Sequence, residues 1–257
     1  SIIAIDIKNK KKLWSFQEVR HDIWNLDLPS PPILGSITRK NKKFDVVIAV
    51  TKLGNTIVLD RVTGKPIFDF HLTKAPSSNI PGEKTSFYQP SVKIPEPFSK
   101  NKFDLTEVTN ITKESKDFIL KKIKNYKFGF FQTYEIDKKN IQFNFHGGAE
   151  WPGASYDLKK EHLYVTASNI AWETEVNINE KKNKFSPSPY YKYNSKFKRL
   201  IDQNGYPGSK PPWGTLTSIN LKSGKIKWQV PFGEYKELTK KNIPLTTYIN
   251  NILKKRS

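Results

Sequence analysis

Ile57-Val58-Leu59-Asp60-Arg61-Val62-Thr63-Gly64-Lys65-Pro66-Ile67-Phe68 reads as a strand, a tight polar turn and a second strand ending on an aromatic. Near the other end, Ser218-Ile219-Asn220-Leu221-Lys222-Ser223-Gly224-Lys225-Ile226-Lys227-Trp228 repeats that plan. Ala4-Ile5-Asp6, a polar stretch and Leu13-Trp14 open the chain on the same frame. An Asp or Asn heading such a turn caps it through side-chain to backbone hydrogen bonds, and Gly supplies the positive φ of a bulged hairpin. The terminal aromatic is placed to pack on the neighbouring unit. One hairpin recurring at one offset predicts an all-β fold, a β-propeller of four-stranded antiparallel blades around an axis.

Working outward, Asp45 to Val50 is a near-continuous apolar run, as expected of a strand buried on both faces, and Thr56 to Asp60 is its partner. Residues 76–145 break the rhythm with five prolines and read as a long irregular insertion, helical over Thr112 to Ile123. Residues 146–172 return to paired strands, 173–212 look like a second, polar excursion, and 213–233 form the last clear hairpin. Turn anchors fall at Asp6, Asp60, Asp157 and Asn220. Their intervals exceed the ~40–50 residues of one four-stranded blade; the surplus is insertion, which leaves room for about four blades. The chain opens within a strand pattern, so the expectation is part of a larger ring, over 1–235, with segments missing at both ends. Residues 236–257 are a Lys-rich tail unlike the continuation of a blade.

Composition narrows the function classes. Lys and Arg number 44 against 24 Asp and Glu, a net charge of +20. These lysines scatter through turns and loops and do not alternate with aromatics along one face, so the charge reads as solvated loop charge and not as a nucleic-acid surface. No apolar run is long enough to span a membrane; any membrane association would come from an N-terminal segment upstream of Ser1. The absence of cysteine rules out disulfides, thiolate metal sites and a Cys nucleophile. His71, His146 and His162 lack metal-ligand spacing, Gly147-Gly148 is not a phosphate loop, and no G-x-S-x-G occurs.

Four stretches, in order, resemble the pyrroloquinoline quinone (PQQ) dependent dehydrogenases, especially their glucose and quinate dehydrogenase branch. Leu13-Trp14-Ser15-Phe16-Gln17-Glu18-Val19-Arg20-His21-Asp22-Ile23-Trp24-Asn25-Leu26-Asp27-Leu28-Pro29 is similar to the family's W-x-F-Q-x-V-H-H-D-x-W-D-x-D-x-P. Thr51-Lys52-Leu53-Gly54-Asn55-Thr56-Ile57-Val58-Leu59-Asp60-Arg61 is similar to its K-x-G-x-x-x-x-L-D-R. Glu150-Trp151-Pro152-Gly153 with Leu163-Tyr164-Val165 and Asn169, then Pro212-Trp213-Gly214, complete the set. The resemblance implies about half of an eight-bladed ring, with PQQ and a Ca²⁺ or Mg²⁺ ion on the axis. It also implies a periplasmic protein that oxidises an alcohol or sugar and passes electrons to a quinone or cytochrome.

On the same resemblance, Asn25 occupies the position of the family's acidic general base. An amide orients a hydroxyl but accepts no proton at neutral pH, so Asp27, Asp22 and His21 are the alternatives. Asp22 and Trp24 alternate with the other polar residues of that segment, a cluster that also reads as a loop held by Asx turns. Lys52 matches the family's quinone-contacting lysine; from composition alone it reads as a solvated turn lysine. Asn169, or Thr166 three residues before it, matches an asparagine near the quinone and cation, and an amide oxygen is a hard ligand suited to Ca²⁺ or Mg²⁺. Trp172 and Trp213 are placed at the cofactor pocket, whereas Trp14, Trp151 and Trp228 are read as blade packing.

Two functions follow. The first is PQQ-dependent oxidation of a sugar or cyclic polyol hydroxyl, with this polypeptide alone inactive. The alternative, favoured by Asn25, is a non-catalytic propeller fragment or degenerate homologue that serves as a binding scaffold.

Overall fold

A computed structural model describes residues 1–178 and 193–246. Strands β1 (Ile2–Asp6) and β2 (Lys11–Phe16) form a hairpin. Strands β3 (Ile33–Arg39), β4 (Lys42–Val50) and β5 (Thr56–Asp60) make an antiparallel sheet. The Lys65–Phe68 stretch runs along its outer edge, joined by Ile67 N–H to Val58 carbonyl at 2.8 Å and a bridge between Leu59 and Pro66. Pro66 cannot donate to a ladder, so this edge stays a partial strand. Strands β10 (Ala154–Asp157), β11 (His162–Ser168), β14 (Gly214–Asn220) and β15 (Lys225–Pro231) form a complete four-stranded antiparallel blade in the order β10-β11-β14-β15. The short strands β6 (Leu72–Lys74) and β7 (Tyr88–Pro90) pair between them in sequence.

All four anchors act as the sequence predicts. Asp6, Asp60, Asp157 and Asn220 each accept backbone N–H bonds from residues two or three places on. The fourth residue after each anchor holds a positive φ: Lys10 at 53°, Gly64 at 69°, Glu161 at 54° and Gly224 at 77°. Glycine appears where an aromatic of the preceding unit lies on the turn. A Cβ on Gly64 would meet the Trp14 ring at 2.5 Å, and one on Gly224 would meet Phe68 Cε1 at 2.8 Å. The terminal aromatic of one hairpin thus covers the turn of the next, and Trp14 secures the contact with Nε1–H to the Arg61 carbonyl at 3.1 Å.

The same order governs the core. β4 is the middle layer: Val46, Ile48 and Val50 pack with Leu163, Val165 and Ile219 of the β10–β15 blade, while Val47 and Ala49 pack with Ile2, Trp14 and Phe16 of the β1-β2 hairpin. A strand buried on both faces has no polar positions to spare, which explains its unbroken apolar run.

The two excursions join each other. β9 (Lys139–Gln142), from the insertion, pairs with β12 (Trp172–Ile178), which pairs with β13 (Tyr193–Arg199); β8 (Lys127–Phe128) adds a parallel edge. The polar segment 173–212 therefore contributes two strands of a sheet. Its polarity misleads because Glu173, 2% exposed, is buried as an ion pair with Lys122 at 2.6 Å. Helix α1 (Lys113–Lys122) carries that lysine and starts at Thr112, whose Oγ1 accepts the Ser115 N–H at 3.1 Å. A short helix α2 (Lys236–Lys240) buries Leu238 against Trp213 and Ile111. Beyond Thr246 the basic tail lies outside the described residues.

Candidate functional site

The site is built on the chain that leaves β2. Asp22 staples it: one carboxylate oxygen accepts the Trp24 N–H at 2.8 Å and the other the Leu26 N–H at 2.7 Å. Burial pushes the Asp22 carboxyl up while these two bonds pull it down. With both oxygens engaged, Asp22 supports the loop and is not free to act on a ligand. Trp24 anchors the loop from below, 2% exposed, with Nε1–H to the Gln132 carbonyl at 2.8 Å and an edge-on contact to Phe131 at 5.1 Å. The loop bends through positive φ at His21 (48°) and Asn25 (64°). Asparagine and histidine both visit that region more readily than other non-glycine residues, and such backbone collects at functional loops.

Lys52 comes from the Thr51–Asn55 turn between β4 and β5. This turn is buried throughout: Thr51, Leu53 and Asn55 are buried, and Lys52 is only 7% exposed. Composition suggested a solvated lysine, but the ammonium is drawn inward. It donates to the Asn25 carbonyl at 3.2 Å across 27 residues of sequence, and pairs with Asp27 Oδ1 at 2.5 Å. Among the described residues these are two partners for three N–H donors, so one donor has no partner there. Gly148 presses on the Lys52 carbonyl from the opposite side, and the Asn144 side-chain amide also donates to it.

The structure therefore brings Asn25, Asp27 and Lys52 together. His21 and Asn25 also open onto a cavity of about 910 Å³, walled by Tyr134, Phe145, Glu175 and Phe197. Those walls belong to the β9–β12–β13 sheet and its approaches, whose role was hidden by the polarity of 173–212. Trp172 stands behind Phe145 at 6.1 Å, against His146 at 4.7 Å, and its buried indole N–H has no partner among the described residues.

Asn169 and Trp213 sit differently. Asn169 lies at the same end of the blades, just after Ser168, which bridges Gly148. Its side-chain oxygen accepts the Lys100 N–H at 2.9 Å, and its own N–H donates to the Trp213 carbonyl at 2.7 Å. Trp213 is packed, with Nε1–H to the Ser209 carbonyl at 2.7 Å and its ring on Tyr235 at 4.9 Å. Thr166 is half-buried along β11. Among the tryptophans read as packing, Trp14 is packed, Trp228 is partly open beside Tyr164, and Trp151 is 81% exposed, contrary to expectation.

Blades stacked face to face, with buried polar side chains gathered at one set of loop ends, define a β-propeller. The family described as "PQQ: Glucose/ethanol/alcohol dehydrogenase, beta-propeller domain" matches residues 1–253, and the chain belongs to that family. It is 28% identical to the quinate/shikimate dehydrogenase (quinone) of Acinetobacter baylyi, over 91% of this chain and 31% of that protein. It is 30% identical to the glycerol dehydrogenase large subunit of Gluconobacter thailandicus, over 91% of this chain and 35% of that one. With the quinoprotein glucose dehydrogenase of Escherichia coli the identity is 24%, over 91% and 31%. The chain thus spans about a third of the length of these relatives. A europium-containing methanol dehydrogenase superposes with a TM-score of 0.53 at 19% identity, over 89% of this chain and 32% of that one, so the shared fold is a quinoprotein propeller whose sheets here do not close into a ring.

The residues present fit the quinone of that family. The Lys52 ammonium and the Trp172 indole N–H each hold a donor without a partner among the described residues, the type of group that quinone oxygens accept from, although neither lines the 910 Å³ cavity. They do not fit its cation equally well. Among the described residues no three His, Cys, Asp or Glu side chains gather as metal ligands, and the Asn169 oxygen already has a donor. No described helix is long and apolar enough to cross a membrane.

Proposed function

We propose that this chain supplies one wall of a PQQ site in a dehydrogenase that oxidises a polyol or sugar hydroxyl, quinate and glucose being the first substrates to try. The observation that carries the reading is the buried Lys52 ammonium, fixed by Asn25 and Asp27 with a donor to spare. PQQ, when bound, is the two-electron oxidant. Lys52 would hold its oxygens and stabilise negative charge that builds there. Asn25 would orient the substrate hydroxyl. Asp27, half-exposed and with no partner for Oδ2 among the described residues, would be the carboxylate to take the hydroxyl proton, with His21 at the cavity rim as the other candidate. Asn169 and Trp172 are proposed on the far side of the cofactor; the Asn169 oxygen would reach a Ca²⁺ or Mg²⁺ ion only on release from the Lys100 N–H that it accepts here. The name of the Acinetobacter baylyi relative supports a quinone as electron acceptor, and a periplasmic location is part of the same proposal.

Asn25 favours the second reading, a propeller that binds without turnover. Purified chain reconstituted with PQQ and Ca²⁺ or Mg²⁺, and assayed for dye reduction with glucose and quinate, separates the two. Little or no turnover is expected, because open sheets leave the cofactor's other walls unmade and a missing base costs about 10²–10⁴-fold. Turnover confined to Asn25→Asp would show that the base alone was lacking. Robust turnover by the unmodified chain would remove both grounds for inactivity.

A further inference from the structure

Glu18 lies directly beneath the Lys52 turn, at a position the family motif leaves open, and none of the roles above uses it. It is 1% exposed. Its Oε1 accepts from the Thr51 hydroxyl at 3.1 Å and from the Asn55 side-chain N–H at 2.8 Å. Its Oε2 and the Asn55 Oδ1 are both buried and both without a partner among the described residues. Those two orphans are acceptors, so an ionised Glu18 cannot join them; leaving both unmade in an apolar interior is costly. We propose that Glu18 carries a proton in the folded protein and forms a two-bond carboxylic acid–amide pair with Asn55, which locks the Thr51–Asn55 turn and so positions Lys52. One proton answers both deficits: Oε2–H donates to Asn55 Oδ1, and the uncompensated charge disappears.

The surroundings agree. Among the described residues no Lys, Arg or His forms an ion pair with Glu18. Lys52, on the same turn, points its ammonium at Asp27. The hydrogen bonds from Asn55 and Thr51 favour the ionised form, and Asp22, further along the same segment, adds a small opposing push against a second negative charge. Burial is the dominant influence and pushes the Glu18 carboxyl up to about 7.

The inference deepens the proposed role of Lys52, but its test needs no cofactor. The folded state holds this proton more tightly than the unfolded chain, whose Glu titrates near about 4.3. Stability should therefore be full below that value and decline as pH rises through about 7. For the whole chain the expected loss of Tm between about pH 5 and 8, in excess of Glu18→Gln, is roughly 5–10 °C. Glu18→Gln replaces Oε2–H with a permanent N–H donor, so it should match the parent Tm at low pH and lack the decline. Glu18→Ala should be less stable at every pH, because it abandons Thr51 and Asn55 together. Carboxyl ¹³C NMR should show the Glu18 resonance still protonated at about pH 6. An ionised Glu18 at about pH 5, or parallel pH profiles for the parent and Glu18→Gln, would overturn the proposal. Either result leaves PQQ binding through Lys52 untouched, and loss of PQQ binding would leave the acid–amide pair untouched.

Discussion

Gly148→Ala is expected to cost on the order of 3–5 kcal/mol of folding stability and to displace Lys52. Gly148 sits at φ +65°, where any Cβ is strained by about 1–2 kcal/mol. The added carbon would also fall 1.9 Å from the Lys52 carbonyl oxygen and 2.5 Å from its carbon, both backbone atoms that cannot swing aside. Relief requires parting the 143–149 segment from the Thr51–Asn55 turn. That movement breaks the Ala149 N–H bond to the Thr51 carbonyl at 3.1 Å and the Gly148–Ser168 bridge, each bond adding about 1 kcal/mol. Urea unfolding of the parent and variant gives the number; a loss below about 1 kcal/mol would show that the two segments are not in firm contact.

Trp24→Ala is the second large effect, a loss of about 3–5 kcal/mol as for other buried tryptophans. The ring is 2% exposed and packed among Val19, Leu26, Leu53 and Phe131. The change opens a cavity beneath the loop and leaves the Gln132 carbonyl, which its Nε1–H satisfies, with only a long 3.5 Å bond from the Asn140 side-chain amide. Trp24→Phe should recover most of the packing but not that bond, leaving a deficit of about 1–2 kcal/mol. Equal losses for Phe and Ala would place the whole cost in the hydrogen bond and contradict the packing account.

The sequence is most readable where local chemistry decides the conformation. Asp60 with Gly64, and Asn220 with Gly224, specify their turns within five residues, and Trp14 and Phe68 mark the contact between units. Thr112 and Ile123 bound the helix because capping is local as well. Readability fails where a polar residue is buried by a distant partner. Glu173 and Lys122 come from separate excursions, so hydropathy assigns both to solvent and the β9–β12–β13 sheet goes unseen. Within the site, the motif spacing places Asn25 and Lys52 in correspondence with a known family but is silent on geometry. The ion pair of Lys52 with Asp27, the stapling by Asp22 and the capture of the Asn169 oxygen by Lys100 depend on which loops meet. Glu18 gave no sequence signal at all, because its meaning lies in the two orphan atoms that only the folded contact reveals.

The claim that Lys52 faces a quinone is tested most directly by PQQ binding to the purified chain, followed through tryptophan fluorescence in about 0.15 M salt. Salt matters because a net charge of +20 attracts a carboxylate-rich ligand nonspecifically at low ionic strength. Lys222→Ala, which removes an exposed turn lysine, serves as the charge-matched control. Loss of a charge-assisted hydrogen bond of about 1.5–3 kcal/mol predicts that Lys52→Ala weakens binding about 10–100-fold while Lys222→Ala leaves it within about twofold. Equal affinities for the two variants, with both still folded, would contradict the account.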